Sequence, residues 1–403
     1  MGSVKQDGGK AGHAMSTAMS PDAARLIEAV AQLGPTISAQ RDQIERERRL
    51  PPGLVETLRK LGFFSLWLAR DFGGLELSLA DYVRVIEALS RYDASVGWCT
   101  NIAAAYSVFS GYLPEPVARQ IFVKDEAAIA GNFGPIGSAT VVDGGYRVTG
   151  RWAFGSGINH SEWILGGCVV HDNNGPRVRP DGSRETTIAF FPASQVEVID
   201  TWNVGGLRGT GSHDYQVADL FVPETHTTAG RTPSRPGTLY SLPIQTFAPP
   251  AIAAVPLGIA RAALDGVREL SSSKTPRLGP VLLREKPAVQ GAVGRAEGML
   301  RAARAFLFEA CDDVWKTLET GAELSLEQRA AARLSGVQVA EAAKAVVQIA
   351  YEIGGGTSVY DSCPLQRCFR DMYAAVQHIQ VQNGNFETCG RVMLGMEPGT
   401  HLL

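Results

Sequence analysis

The residue best placed to do chemistry is His378, in the run Arg370-Asp371-Met372-Tyr373-Ala374-Ala375-Val376-Gln377-His378-Ile379. A free imidazole titrates near neutral pH and can accept or release a proton at little cost. On helical spacing Ala374 and Ala375 lie one turn before it and Asp371 two turns before, on roughly one face. Small neighbours leave room there for a ring system. Taken alone, a helical histidine is more often a hydrogen-bonded packing residue. Phe154 and Ser156 are spaced to share one face of an extended strand, although Ser156-Gly157 also reads as a turn that caps it. Trp98, Asn101, Ala105 and Tyr106 share one side of a helix rich in small residues. A tyrosine there can hydrogen-bond but is a poor base at pH 7.

Several classes of function are excluded by composition. The 403 residues are 45% hydrophobic and 20% charged, enough for a large core in two or three subdomains. A net charge of -3 and a pI near 6.2 give no basic footprint for nucleic acid. No stretch approaches the uninterrupted apolar length of a membrane span, and a cytoplasmic location is expected. The six cysteines form no Cys-x-x-Cys pair and read as reduced, mostly buried thiols. No histidine or cysteine pair has ligand spacing, so a metal site is not expected. Neither a P-loop nor a Rossmann fingerprint is present. Gly206-Leu207-Arg208-Gly209-Thr210-Gly211 has the wrong spacing and precedes a strand, so it reads as a structural turn.

Periodicity is helical from Pro21 to about Val123, with Ser78 as a cap and Asp93-Ala94-Ser95 starting the small-residue helix. After about Ala127 strands take over. A hairpin turns at Asp143-Gly144-Gly145, and further strands follow over 163–170, 187–191, 196–199 and 215–222. From about Leu242 four long amphipathic segments predict helices over 251–270, 287–320, 326–353 and 365–394. Asn383-Gly384-Asn385 marks a break in the last.

Four motifs fall in a familiar order: Gly73-Gly74 after an aromatic, Gly150-Arg151-Trp152-Ala153-Phe154-Gly155-Ser156-Gly157, Gly205 to Ser212 before a strand ending Phe221-Val222-Pro223, and Arg370-Asp371. Together they resemble the acyl-CoA dehydrogenase superfamily over nearly the whole chain from residue 21. Trp152-x-Phe154-x-Ser156-Gly157, Gln377-His378 and Leu394-Gly395 are similar to one branch, the oxygenase components of two-component flavin-dependent monooxygenases. The resemblance implies an α+β fold. Residues 1–20 are expected to form a disordered tail, 21–125 an N-terminal α-helical domain, 126–236 a central β-barrel or sandwich, and 237–403 a C-terminal four-helix bundle.

It also implies reduced flavin (FMNH2 or FADH2) and O2 as cofactors, with an oxygen adduct at flavin C4a that hydroxylates a small aromatic or heteroaromatic substrate. A separate NAD(P)H-dependent flavin reductase would supply the reduced flavin to a homotetramer. In the resembling proteins the position of Ser156 faces the flavin N5/O4 edge and that of Phe154 lies against the isoalloxazine. Asn132, Phe133 and Gly134 occupy a flavin-binding loop. Arg277 resembles an arginine on the flavin phosphate, often across a subunit interface, and Gly355 and Gly356 a turn that approaches a neighbour's flavin. His378 would lie near flavin and substrate, to deprotonate a phenol-like molecule or relay a proton. Trp98, Asn101 and Tyr106 would line the substrate. Phenol hydroxylases of this kind often carry histidine where Tyr106 stands, which points away from a simple phenol and toward an indole, a polycyclic aromatic or an amine. Arg370 and Asp371 read as an ion pair or helix anchor.

Three rivals remain on the sequence. An acyl-CoA dehydrogenase needs a carboxylate base, whose common place holds Ile379. The second location, on the first bundle helix, is also lost, because no Asp or Glu occurs between Glu224 and Asp265. Losing a general base costs about 10²–10⁴ in rate. An amine- or amino-sugar-oxidising relative would use the same flavin chemistry. A non-catalytic helical-bundle assembly protein would keep the fold alone.

Overall fold

The computed structural model describes residues 18–228, 232–277 and 279–400, so the expected tail lies outside them apart from its last three residues. The first part is helical: α1 (Pro21–Glu47), α2 (Pro52–Leu61), α3 (Leu79–Tyr92), α4 (Ala94–Tyr106) and the short α5 (Glu115–Ala118). Local chemistry sets the starts. The Ser78 hydroxyl accepts from Asp81 N at 3.2 Å, and the Asp93 carboxylate accepts from Ser95 N and Val96 N at 2.9 and 3.0 Å. α4 is buried on nearly every side, as its small residues suggested.

The centre is a seven-stranded sheet: β1 (Ile129–Val142), β2 (Gly145–Gly155), β3 (Trp163–Asp172), β4 (Gly175–Pro176), β5 (Thr186–Pro192), β6 (Glu197–Ile199) and β7 (His213–Pro223). The order is β4-β3-β1-β2-β7-β6, with β5 also on β3. The strands thus form the central β layer expected between the two helical parts. Trp152 stacks on Tyr215 and approaches Phe191, so the sheet keeps a core of its own. β1 leaves register with β3 between Asn132 and Gly137, a bulge at the edge of the helical layer.

Helices then return: α6 (Thr238–Ser241), α7 (Ile244–Ser273), α8 (Pro287–Glu319), α9 (Leu326–Gly354), α10 (Pro364–Ala375) and α11 (Gly384–Met393). α7 starts earlier than its periodicity suggested and runs through Pro249, Pro250 and Pro256. Each interior proline removes a helix hydrogen bond, and burial against α3, α9 and α10 offsets the loss. By length and composition α7 could cross a membrane, but 83% of its apolar window is buried in the fold, as in a core helix. One hydrophobic core spans the N-terminal helices and the bundle.

The last predicted helix is broken, and earlier than expected. α10 ends at Ala375, a 3-10 turn covers Ile379–Val381, and α11 starts at Gly384. His378 therefore sits in a turn with extended backbone (φ -66°, ψ 133°) instead of on a helix face.

Candidate active site

The glycine-rich loop 205–212 is held by α10. Gly206 packs so closely on the Arg370 carbonyl that a Cβ would come within 2.0 Å of its oxygen, and Gly209 likewise meets Ile44. Leu207 N donates to Asp371 Oδ1 at 2.7 Å, while Arg370 donates to the Gly205 carbonyl and pairs with Glu45 at 2.6 Å. Arg370 and Asp371 thus anchor helix to loop, each through a separate partner. Burial, then the nearby Asp93 charge, pushes the Asp371 carboxyl up to about 7.

The anchored loop delivers two hydroxyls to the end of β2. Ser156 Oγ lies 2.7 Å from Ser212 Oγ, which lies 2.7 Å from Thr210 Oγ1, and Thr210 donates to the Leu207 carbonyl at 2.8 Å. From α4, Trp98 Nε1 donates to Ser156 at 3.1 Å. His378 packs edge-on against Trp98, with ring centres 5.8 Å apart. All three parts of the chain therefore meet at Trp98, Ser156 and His378. Gln380 N donates to His378 Nδ1 at 3.3 Å, so the neutral ring carries its proton on Nε2. Burial lowers its pKa to about 4. At pH 7 the ring is therefore neutral, with Nε2 carrying its donor proton.

The other sequence candidates divide. Asn132 pins the β1 bulge: its Nδ2 donates to the Ala153 carbonyl and its Oδ1 accepts from Gly134 N, at 3.2 and 2.8 Å. Phe133 meets Tyr106 edge-on at 6.2 Å. Tyr106 spends its hydroxyl on the Gly131 carbonyl at 3.0 Å, and Asn101 is buried with its oxygens on Tyr82 OH. The Asn101 oxygens and the Tyr106 proton are thus used within the protein. Phe154 and Ser156 do not share a strand face. Phe154 has φ 66° and is 63% exposed, while Ser156 is buried beyond the strand end. Ser156 N bonds back to the Phe154 carbonyl at 2.8 Å, and this tight turn breaks the alternation. Arg277, Gly355 and Gly356 are exposed, and Lys274 joins their two loops by donating to Gly354 O and Thr357 Oγ1, each at 2.6 Å. Gly354 touches Leu365 in the first turn of α10, so this group lies at the far end of α10 from His378.

A cavity of about 750 Å³ lies elsewhere, between α1, α3, α7 and the start of α10. Arg41, Arg91, Asp93, Asp265, Arg367 and Asp371 line it. Such charged walls suit water more than an aromatic ring, and neither Ser156 nor His378 faces it.

Two family descriptions match the sequence: "Acyl-CoA dehydrogenase, N-terminal domain" over residues 21–111 and "Acyl-CoA dehydrogenase, C-terminal domain" over 251–383. The indole-3-acetate monooxygenase of Pseudomonas putida is 30% identical, over 89% of this chain and 91% of that protein. The crystal structure of the HsaA monooxygenase from M. tuberculosis superposes with TM-score 0.86 at 27% identity, covering 95% of this chain and 100% of that one. XiaF from Streptomyces sp., in complex with FADH2 and glycerol, gives TM-score 0.86 at 26% identity over 94% and 98%. The chain belongs to the flavin-dependent monooxygenase branch of the acyl-CoA dehydrogenase superfamily. It is the oxygenase component of a two-component system.

In this oxygenase the dehydrogenase chemistry has no base: Ile379 is apolar and 57% exposed. The residues present suit a flat, reduced cofactor. Phe154 and Ile136 are exposed apolar groups beside the bulge, and Ser156 brings a hydroxyl bonded to Trp98 and Ser212. Sequence reading missed Thr210 and Ser212. The signal was there: two hydroxyl residues, two apart at the entry to β7, within a loop whose glycines drew the attention.

Proposed function

We propose that this oxygenase hydroxylates a small heteroaromatic molecule, an indole or polycyclic ring above a simple phenol, with reduced flavin delivered by a separate NAD(P)H-dependent reductase. The observation that carries this reading is the junction of Trp98, Ser156 and His378, where α4, β2 and the exit of α10 bring uncharged groups together. Bound reduced flavin supplies the electrons that activate O2. Ser156 would accept a hydrogen bond from the N5 edge, Phe154 would pack on the ring face, and the Asn132-Phe133-Gly134 bulge, where β1 leaves register with β3, would help hold the ring. Arg277, Gly355 and Gly356 sit too far along the bundle to serve the same flavin. Their place supports a homotetramer in which a second copy provides them, the guanidinium binding phosphate.

His378 gives the Nε2 proton as a hydrogen bond to an oxygen at the reacting edge and stays neutral while doing so. With a pKa of about 4 it is too weak a base to ionise a phenol near pKa 10, which supports a substrate that reacts without losing a proton first. Trp98 forms the apolar wall, and Tyr106 holds α4 to the β1 bulge through Gly131. The six described cysteines are free thiols, in keeping with a cytoplasmic enzyme.

The test is a reconstituted reaction with a flavin reductase, NAD(P)H and a panel of indoles, polycyclic aromatics, phenols and amines under heavy-isotope O2. One labelled oxygen in a hydroxylated heteroaromatic product supports the reading. Label on nitrogen, or on phenols alone, replaces it with the corresponding alternative.

A further inference from the structure

The hydroxyl chain behind Ser156 has a direction, and the direction follows from counting protons. Thr210 Oγ1 lies 2.8 Å from the Leu207 carbonyl, which can only accept, so the single Thr210 proton lies between them. Were that proton turned to Ser212, two oxygens would face each other at hydrogen-bond distance with none between. Ser212 must then donate to Thr210, and Ser156 must donate to Ser212, each across 2.7 Å. Trp98 Nε1 can only donate, and it fills one Ser156 lone pair. Ser156, Ser212, Thr210 and Trp98 are all buried, so no water competes for these positions. The remaining lone pair makes Ser156 an acceptor only.

We propose that Ser212 and Thr210 are positioning residues that fix this polarity, and that the polarity makes the oxygenase prefer reduced over oxidised flavin. The inference rests on the placement of Ser156 at the flavin N5 edge. Reduced isoalloxazine carries a proton on N5 and satisfies the free lone pair. Oxidised isoalloxazine presents a lone pair there, which an acceptor-only hydroxyl repels. A serine with a free proton would serve either state, since it could turn to donate. The relay removes that freedom and so acts on selectivity without touching the flavin.

The decisive measurement compares dissociation constants for oxidised and anaerobically reduced FMN and FAD in the wild type, Ser212→Ala, Thr210→Val and Ser212→Thr. The wild type is expected to prefer the reduced form. Ser212→Ala frees the Ser156 proton and should cut that preference about 10-fold, equivalent to about 30 mV in the potential of the bound flavin. Thr210→Val lets Ser212 turn back toward Ser156 and should act in the same direction, while Ser212→Thr keeps the chain and restores the preference. Loss of packing alone would weaken both redox states together and leave their ratio in place. An unchanged ratio in a folded Ser212→Ala, or in Thr210→Val should Ser212→Ala not fold, overturns the relay and leaves the flavin assignment standing. Failure of the wild type to bind reduced flavin overturns that assignment first.

Discussion

Asp371 and His378 lie close together along α10 and its exit turn, yet they sit in opposite kinds of surroundings. Around Asp371 are Arg41, Arg367, Arg370, Glu45 and Asp93, beside the charged cavity. Burial works to raise Glu45, but Arg370, Arg367 and Arg208 together hold it below the usual carboxylate range. Around His378 and Ser156 are Trp98, Ser212 and Thr210, with no formal charge among them. Charge is used where a loop must be held, and uncharged donors and acceptors where a reactive group must be kept from water. A charged pocket would hold its hydration, whereas an uncharged one with every proton assigned can be dry.

The largest effect should come from breaking the charged side. The Asp371 carboxyl is raised from 3.8 to about 7, so the unfolded chain releases its proton first as pH rises. Stability due to this group is therefore full below about pH 4 and lost progressively up to about pH 7. Asp371→Asn keeps an oxygen for Leu207 N–H and removes the titration. Its advantage over the wild type should grow across that window to a ceiling of about 4 kcal/mol, measured by denaturant unfolding at a series of pH values. A constant difference would show that the carboxyl stays ionised and belongs to the ion-pair cluster.

On the uncharged side, His378→Ala should slow product formation about 10–100-fold, the value of a hydrogen bond to a charged oxygen, while reduced flavin binds nearly as before. Equal loss of binding and rate would make His378 part of the flavin cradle instead. Ser156→Ala should act on coupling. With the N5 acceptor gone, the ratio of H2O2 to product should rise about 3–10-fold. Unchanged coupling would remove Ser156 from the site.

The outline of the fold was legible because its signals are local. Caps at Ser78 and Asp93, the Asp143-Gly144 hairpin and the long apolar stripes of α8 and α9 each depend on a few neighbouring residues. What was not legible depends on packing and side-chain bonding that residue spacing does not show. The expected helix over 251–270 leaves out Pro249 and Pro250, which α7 includes because packing on α3, α9 and α10 offsets their lost hydrogen bonds. His378 read as helical because nothing in its own segment shows that Gln380 N turns back to cap the imidazole. The bonds that Asn101 and Tyr106 make to Tyr82 and Gly131 were not legible either, because those partners lie on other elements. Ser156 was found by motif, but its proton order depends on Ser212 and Thr210, more than fifty residues away.

The smallest effect separates a neutral donor from a base. His378 has a folded pKa of about 4 against an ordinary value of 6.5, so the unfolded chain takes up its proton first as pH falls. The group therefore costs the fold nothing above about pH 6.5, and stability is lost between there and about pH 4. Its ring is only partly covered, so the loss should be about 1 kcal/mol. His378→Gln should flatten that part of the stability curve, as read by melting temperature across the same range. In the reaction, the wild-type rate should show no step from His378 between about pH 5.5 and 7.5, because the ring is already neutral there. A rate that rises through pH 6.5 and loses that rise in His378→Gln would restore the imidazole as a general base, and would return phenols to the substrate range that its neutrality argues against.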